Sequence, residues 1–334
     1  MPKQKTKHTH TVQKEYLKNF SQEENGKFFL WRLDKKTGSK KRLTVENVSV
    51  ENYFYPQDIE DWLAKDIEGK GISIIKKIIK ERTVSRLSPE EKEKTARWII
   101  VQDLRTREYR NELRQGLEGI AELIIKKDFL PHKFPDIDSE SLKIDMGEDP
   151  VKNIQISMMK RFQKYAPIIA SNYHWTIVEN DTSNLYYTSD HPIIKENTYL
   201  NSMRKIMNQG SLGSGKGFFS KGVELHLPLN PELDLILMNL EPLDDMLREI
   251  WDVIQKNPQL YPILWRLFPH DKVEQPRKDK WKANNDNILY FNEHIIALSN
   301  RFIFSKKNDF TIAENFLKRK PEYKDEDRKR WVIR

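Results

Sequence analysis

The chain predicts an α+β fold: a helix-rich body around a small mixed or antiparallel sheet, with an N-terminal hairpin. Three observations predict it. Apolar residues recur at helical spacing through much of 56–165. Short β-like runs cluster between Trp175 and Leu240. Near the N-terminus, two more such runs flank the turn-forming segment Asp34-Lys35-Lys36-Thr37-Gly38-Ser39.

Residues 9–20 read as an extended entry followed by a helical turn carrying Tyr16, Leu17 and Phe20. Lys27 to Leu33 and Arg42 to Val45 are the arms of the hairpin. Beyond Pro56, Ile59, Leu63 and Ile67 recur at fourfold spacing with Trp62 beside them, until Gly69-Lys70-Gly71 interrupts the run. Ile72 to Ile79 resumes it. Ser88-Pro89-Glu90-Glu91 is a helix start, with a capping Ser, a Pro in the first turn and acids at the positive end of the dipole. That helix is expected to reach Asp128, with a break near Gly116 or Gly119. The polar, proline-bearing stretch from Pro131 to Pro150 is the best linker candidate. A helix is expected over 151–165, then strands over 175–178, 185–188, 223–229 and 233–240. Helices are expected to resume over 243–254 and 287–301, and the basic tail after Pro321 to be solvated and partly frayed.

Composition narrows the class. Charged residues (32%) nearly equal apolar ones (37%), but eight Trp, twelve Tyr and fifteen Phe supply the material of a packed core. With 58 Lys and Arg against 50 Asp and Glu, the formal charge is +8, which favours anionic partners such as RNA or DNA. The chain has no cysteine, so disulfides, thiolate catalysis and Cys-type zinc sites are excluded. No apolar run reaches the ~20 residues of a membrane span. The polar N-terminus lacks the apolar core of a signal peptide, so a cytoplasmic protein without a membrane partner is expected.

Gly210 to Gly217 nearly spells a phosphate-binding P-loop. The motif needs Ser or Thr after its Lys to ligate magnesium, and after Lys216 stands Gly217. It should also join a strand to a helix, and here a strand follows. A glycine loop acting as a flap over a site is the simpler reading.

A set of short polar motifs carries more. They are His10-Thr11-Val12-Gln13-Lys14-Glu15-Tyr16-Leu17-Lys18-Asn19-Phe20, Ile67-Glu68, Gln102-Asp103-Leu104-Arg105-Thr106, Trp175 with Thr188-Ser189-Asp190-His191-Pro192, Pro228-Leu229, and Asn292 with Ala297 and Arg301. Together, over about 10–305, they resemble the uncharacterised bacterial family called domain of unknown function 4238. Gln13 stands where that family's opening motif usually has proline. The resemblance implies no common reaction. Because its motifs come from both halves, one interwoven unit over 1–334 is expected: 1–45 as motif and hairpin, 56–165 as helices, 170–305 as sheet and C-terminal helices, 306–334 as tail.

Within a single helix, Trp98, Gln102, Arg105 and Tyr109 would share one stripe. A planar Arg between aromatics suits bidentate contact with a carboxylate or phosphate, or an ion pair with Glu68 or Asp190 that merely holds helices together. Asp190, at a strand end before Pro192, suits a ligand oxygen or an Asx turn. A fixed His10 could act as general base or metal ligand. The expected catalytic set is therefore His10, Glu68, Gln102, Arg105 and Asp190, with His10, Glu68 and Asp190 able to hold a divalent ion, Mg²⁺ or Mn²⁺. His191, His174 and His226 are alternates. The expected function is a nucleic-acid-acting hydrolase, a metal-assisted or general acid–base phosphodiesterase serving as a toxin or phage-defence effector. The alternative is a non-catalytic module that binds nucleic acid or a protein. No Gly-x-Ser-x-Gly elbow surrounds Ser189, which argues against a serine hydrolase.

Overall fold

The structure, a computed structural model, describes residues 8–52, 55–134, 143–200, 217–261 and 277–330. In chain order the N-terminal part holds β1 (His8–His10), α1 (Lys14–Leu17), β2 (Gln22–Glu24), β3 (Lys27–Asp34), β4 (Lys40–Thr44) and β5 (Val50–Asn52). Helices follow: α2 (Gln57–Trp62), α3 (Gly69–Glu81), α4 (Pro89–Leu104), α5 (Arg107–Ile124), α6 (Leu130–Lys133), α7 (Glu148–Phe162) and α8 (Ala166–Asn172). The C-terminal half holds β6 (His174–Asn180), β7 (Thr188–Ser189), β8 (Ile194–Glu196), β9 (Glu224–Asn230), β10 (Leu233–Met238), α9 (Glu241–Lys256), β11 (Lys280–Ala283), α10 (Asn285–Leu298), β12 (Phe302–Ser305) and α11 (Thr311–Arg319).

The fold is α+β, with two small sheets among the described residues besides the β1–β5 pair. One is mixed, in the order β11-β6-β10-β9-β8, with β11 parallel to β6 and the rest antiparallel. The other is antiparallel: the β3–β4 hairpin carries β2 and β12 along its other edge, and β7 pairs with β12. The expected hairpin is present, but the expected strand over 185–188 shortens to Thr188–Ser189 and joins the hairpin's sheet. The pattern of 185–188 shows a buried segment but not its partner, which lies more than a hundred residues away. The expected helix over 287–301 likewise ends at Leu298, and Phe302–Ser305 becomes a strand.

Strand alternation places a core on each face of the mixed sheet. Leu233, Leu235 and Leu237 pack with Trp98, Ile99, Ile169 and the N-terminal anchor Tyr16, Leu17 and Phe20. Ile236, Ile194 and Val178 pack with Ile288, Phe291 and Ile295 of α10. Helix α4 begins as its sequence dictates: Ser88 and Glu91 form a reciprocal capping box with Pro89 behind it. It is buried from Trp98 to Leu104 and lies between α3 and α8. Gly71 permits this approach, since a Cβ there would stand 2.4 Å from Cβ of Trp98.

Two further helix boundaries differ from expectation. Residues 57–81 stay helical through Gly69 and Gly71, and the irregularity is a π-turn over Leu63–Glu68. The long helix breaks at Arg105–Thr106, not at Gly116 or Gly119, because Thr106 caps a new helix by accepting from the amide of Tyr109. Tyr109 therefore leaves the stripe shared by Trp98, Gln102 and Arg105. The glycine segment 210–216 and much of the linker candidate, 135–142, lie outside the described residues. No helix among the described residues is long and apolar enough to cross a membrane.

Candidate functional site

The N-terminal strand β1 ends at His10, and the next three residues run into a polar clamp on α4. Gln102 donates from Nε2 to the carbonyl of Thr11 at 3.1 Å and accepts the amide of Gln13 at 3.3 Å. The indole of Trp98 donates to Oε1 of Gln13 at 2.7 Å. Arg105 donates to Oε1 of Glu68 at 2.5 Å and to the backbone carbonyl of His10 at 2.6 Å. The hydroxyl of Tyr55 donates to the carbonyl of Arg105 at 2.7 Å. Below the clamp, the hydroxyl of Tyr16 donates to the carbonyl of Pro228 at 2.6 Å and lies 2.9 Å from Oγ1 of Thr188, tying the N-terminal segment to both sheets. Gln13 has φ −55°, a value proline would also adopt, so glutamine keeps the backbone shape and adds two hydrogen bonds.

Four of the five expected residues thus meet: His10, Glu68, Gln102 and Arg105. Two polar atoms in this cluster are buried without a hydrogen-bond partner, Nδ1 of His10 and Nε of Arg105. Burial lowers the pKa of His10, and the charge on Arg105 acts the same way, partly offset by the Val48 backbone and Glu68. The imidazole is therefore neutral near pH 7. Glu68 keeps 24% of its side chain exposed, whereas Arg105 keeps 3%, so the cluster opens to solvent on the glutamate side.

Asp190 is not part of this cluster. Its Oδ1 accepts the amide of Asn300 at 2.9 Å, and its Oδ2 accepts those of Arg301 and Phe302, each at 2.8 Å. These bonds close the turn between α10 and β12. Burial pushes the Asp190 carboxyl up to about 6, against the amides and the ammonium of Lys35. Lys35, itself buried and pushed down to about 7, donates to the carbonyls of Ile296 and Ser299 at 2.9 and 2.6 Å. No hydrogen bond or ion pair links Asp190 to the other four residues. Among the described residues, no group of three or more His, Asp or Glu side chains could hold a metal ion, so the expected set of His10, Glu68 and Asp190 is not assembled. Glu68 is bound to Arg105 and Asp190 to three amides.

A second polar cluster lies where α4 meets α5. Asp103 is fully buried; its Oδ2 stands 2.5 Å from Nζ of Lys195, and its Oδ1 stands 3.4 Å from Nε2 of His191. Nδ1 of His191 lies 2.7 Å from Oγ1 of Thr106. The Lys195 ammonium sits over the rings of Tyr109 and Phe218. Burial opposes its charge, but Asp103 and Glu112 more than offset this and raise its pKa. Nδ1 of His191 is engaged by Thr106, and Nε2 faces the buried Asp103 carboxylate. Sequence reading held His191 only as an alternate and missed Asp103 and Lys195. The available signal for Asp103 is its place inside the Gln102–Thr106 motif, flanked by apolar residues of α4; Lys195 carries none.

A family model described as "Protein of unknown function (DUF4238)" matches residues 8–309. No curated protein and no solved structure matches the chain.

Proposed function

The chain belongs to this DUF4238 family, and we propose that it is a nucleic-acid-acting hydrolase that cleaves phosphodiesters by general acid–base chemistry at His10. One observation carries the reading. Motifs at 10, 68 and 102–105 converge on a neutral imidazole with an unpartnered Nδ1, beside an arginine with an unpartnered Nε. Nδ1 would take the proton of the attacking water as its oxygen bonds to phosphorus. The imidazolium would return that proton to the leaving oxygen as the P–O bond breaks. The Nε–H of Arg105 would face the charge growing on the phosphoryl oxygens. The metal-assisted variant loses support because Asp190 stands apart. The net charge of +8 supports a nucleic-acid substrate.

The test is cleavage of labelled RNA and DNA with Mg²⁺, with Mn²⁺ and with EDTA. Cleavage is expected and should be lost in His10→Ala, a variant that keeps the backbone carbonyl bound by Arg105. Activity should stay level above pH 6.5 and fall in acid, since protonation of an imidazole with a lowered pKa removes the base. A substrate left intact under all three conditions, or cleavage unchanged in the variant, rejects the proposal. As a toxin or phage-defence effector, the wild type would arrest growth on induction and His10→Ala would not.

A specific observation favours a second reading, a non-catalytic binding module. The guanidinium of Arg105 is bonded to Glu68 and to the His10 carbonyl, as in a structural clamp. This module would bind nucleic acid in a salt-sensitive way without turnover.

A further inference from the structure

Within the described residues, which end at Arg330, the tail is anchored on α5, and its anchoring brings two carboxylates to a cluster of cations. Arg328 and Arg330 reach Glu108 of α5 at 2.7 and 2.8 Å, with all three side chains at most 9% exposed. Gln115, one helical stretch further on, accepts the amide of Arg330 at 2.7 Å and donates to the carbonyl of Arg328 at 3.0 Å. These contacts lay residues 325–330 along α5. Glu326 and Asp327 then form one wall of a pocket of about 210 Å³ whose other walls include Lys36, Arg107, Arg110 and Arg114. Glu326 stands 3.6 Å from the ammonium of Lys36 and 3.3 Å from the guanidinium of Arg301. Glu148 is the fixed anion of this pocket, bonded to Arg110 at 2.6 Å and to Arg114. The tail lies outside the family match, which ends at 309.

We propose that this pocket at the start of α5 is a site for a phosphate-type anion, and that Glu326 and Asp327 of the tail, lining it, act as an internal competitor for its cations. With the tail in place, Glu148, Glu326 and Asp327 nearly balance the four lining cations. With Glu326 and Asp327 displaced, Glu148 would be the one carboxylate left in the lining beside Lys36, Arg107, Arg110 and Arg114, and the space would widen beyond its present volume of about 210 Å³. Arginine forks and a lysine ammonium in that setting recognise phosphate oxygens. The anchor and the competitor are separate parts of the tail: Arg328 and Arg330 hold it on Glu108, while Glu326 and Asp327 line the pocket. The pocket does not depend on His10 or on hydrolysis, so it stands or falls apart from the proposed activity.

The experiment compares binding of inorganic pyrophosphate and of a short oligothymidylate by titration calorimetry at constant ionic strength. The full chain is compared with the double variant Glu326→Gln, Asp327→Asn, which keeps side-chain shape and leaves the anchor intact. Pyrophosphate binding should tighten about tenfold, equivalent to ~1.4 kcal/mol. Adding Arg107→Ala and Arg114→Ala should abolish the gain. Tightening of both probes assigns the site to the phosphates of a nucleic-acid backbone; tightening of pyrophosphate alone assigns it to a free phosphate ligand. No tightening for either probe in a variant that melts like the wild type overturns the proposal. So does a gain that survives loss of the two arginines. Should the double variant fail to fold, Glu326→Gln alone serves, with the same outcomes expected at smaller size.

Discussion

The guanidinium of Arg105 donates to Glu68 in the α2–α3 helical run and to the His10 carbonyl in β1, while its own carbonyl accepts from Tyr55. Removing it would strand Glu68 and leave the His10 carbonyl without its donor. Breaking a buried pair costs about 3–5 kcal/mol, and Glu68, partly open to water, places Arg105→Ala near the lower end. Urea denaturation should therefore show a loss of about 3 kcal/mol. A loss below about 1 kcal/mol, the range of an exposed pair, would mean that the cluster does not clamp the N-terminal segment. The residue types of this cluster were legible: His10, Glu68, Gln102 and Arg105 all sat in short polar motifs. Their partners were not. The pairing of Arg105 with Glu68 rather than Asp190 depends on which backbone amides Asp190 meets, and those belong to residues 300–302.

At the scale of elements, the contact of α3 with α4 rests on a missing side chain. A Cβ on residue 71 would stand 2.4–2.7 Å from Cβ, Cγ and Cδ1 of Trp98. Neither helix can absorb that without parting, and Trp98 also carries the hydrogen bond to Gln13. Gly71→Ala should cost about 3 kcal/mol, at the upper end for overpacking, despite the better helix propensity of alanine. Thermal melting checks it; a variant as stable as the wild type would show that the helices are not in close contact. From sequence, Gly69 and Gly71 looked like a break, because glycine weakens a helix locally. Tertiary packing reversed that reading, since the close approach needs the glycine and supports the helix around it. The opposite happened at Arg105–Thr106, where no glycine or proline signalled the break and a capping threonine made it. Helix starts with full capping signals, as at Ser88, were legible because the stabilising bonds lie within four residues.

Across the whole molecule, stability is tied to pH through buried charges. His226 on β9 lies between Asp234 on β10 at 3.2 Å and Glu224 on its own strand at 3.6 Å. Burial opposes its charge, but the two carboxylates more than offset this and push its pKa up to about 10 from 6.5. With a folded pKa above the unfolded value, the stabilisation is fully present below pH 6.5 and is lost as pH rises towards about 10. Lys35 acts in the opposite sense. Its folded pKa is lowered from 10.5 to about 7, so its contribution improves across that window. The comparison with His226→Gln isolates the histidine: the stability gap between the two proteins should narrow from pH 6.5 to 10. Denaturation at fixed salt over that range measures it, and a constant gap would mean that His226 does not gain a proton on folding.

The sequence by itself determined the class of fold, the hairpin, the amphipathic helices, the anchor of Tyr16, Leu17 and Phe20, and the polar residues of the N-terminal clamp. Each is carried by local periodicity, turn chemistry or a short motif. Tertiary structure alone decided that β7 joins the hairpin's sheet and that Asp190 closes a turn on residues 300–302. It also decided that Asp103 and Lys195 pair in the interior and that the tail's arginines are buried on Glu108. These contacts join positions tens to hundreds of residues apart. Hydrogen bonds and ion pairs depend on direction and on distances of a few ångströms, and local sequence patterns carry neither across such separations.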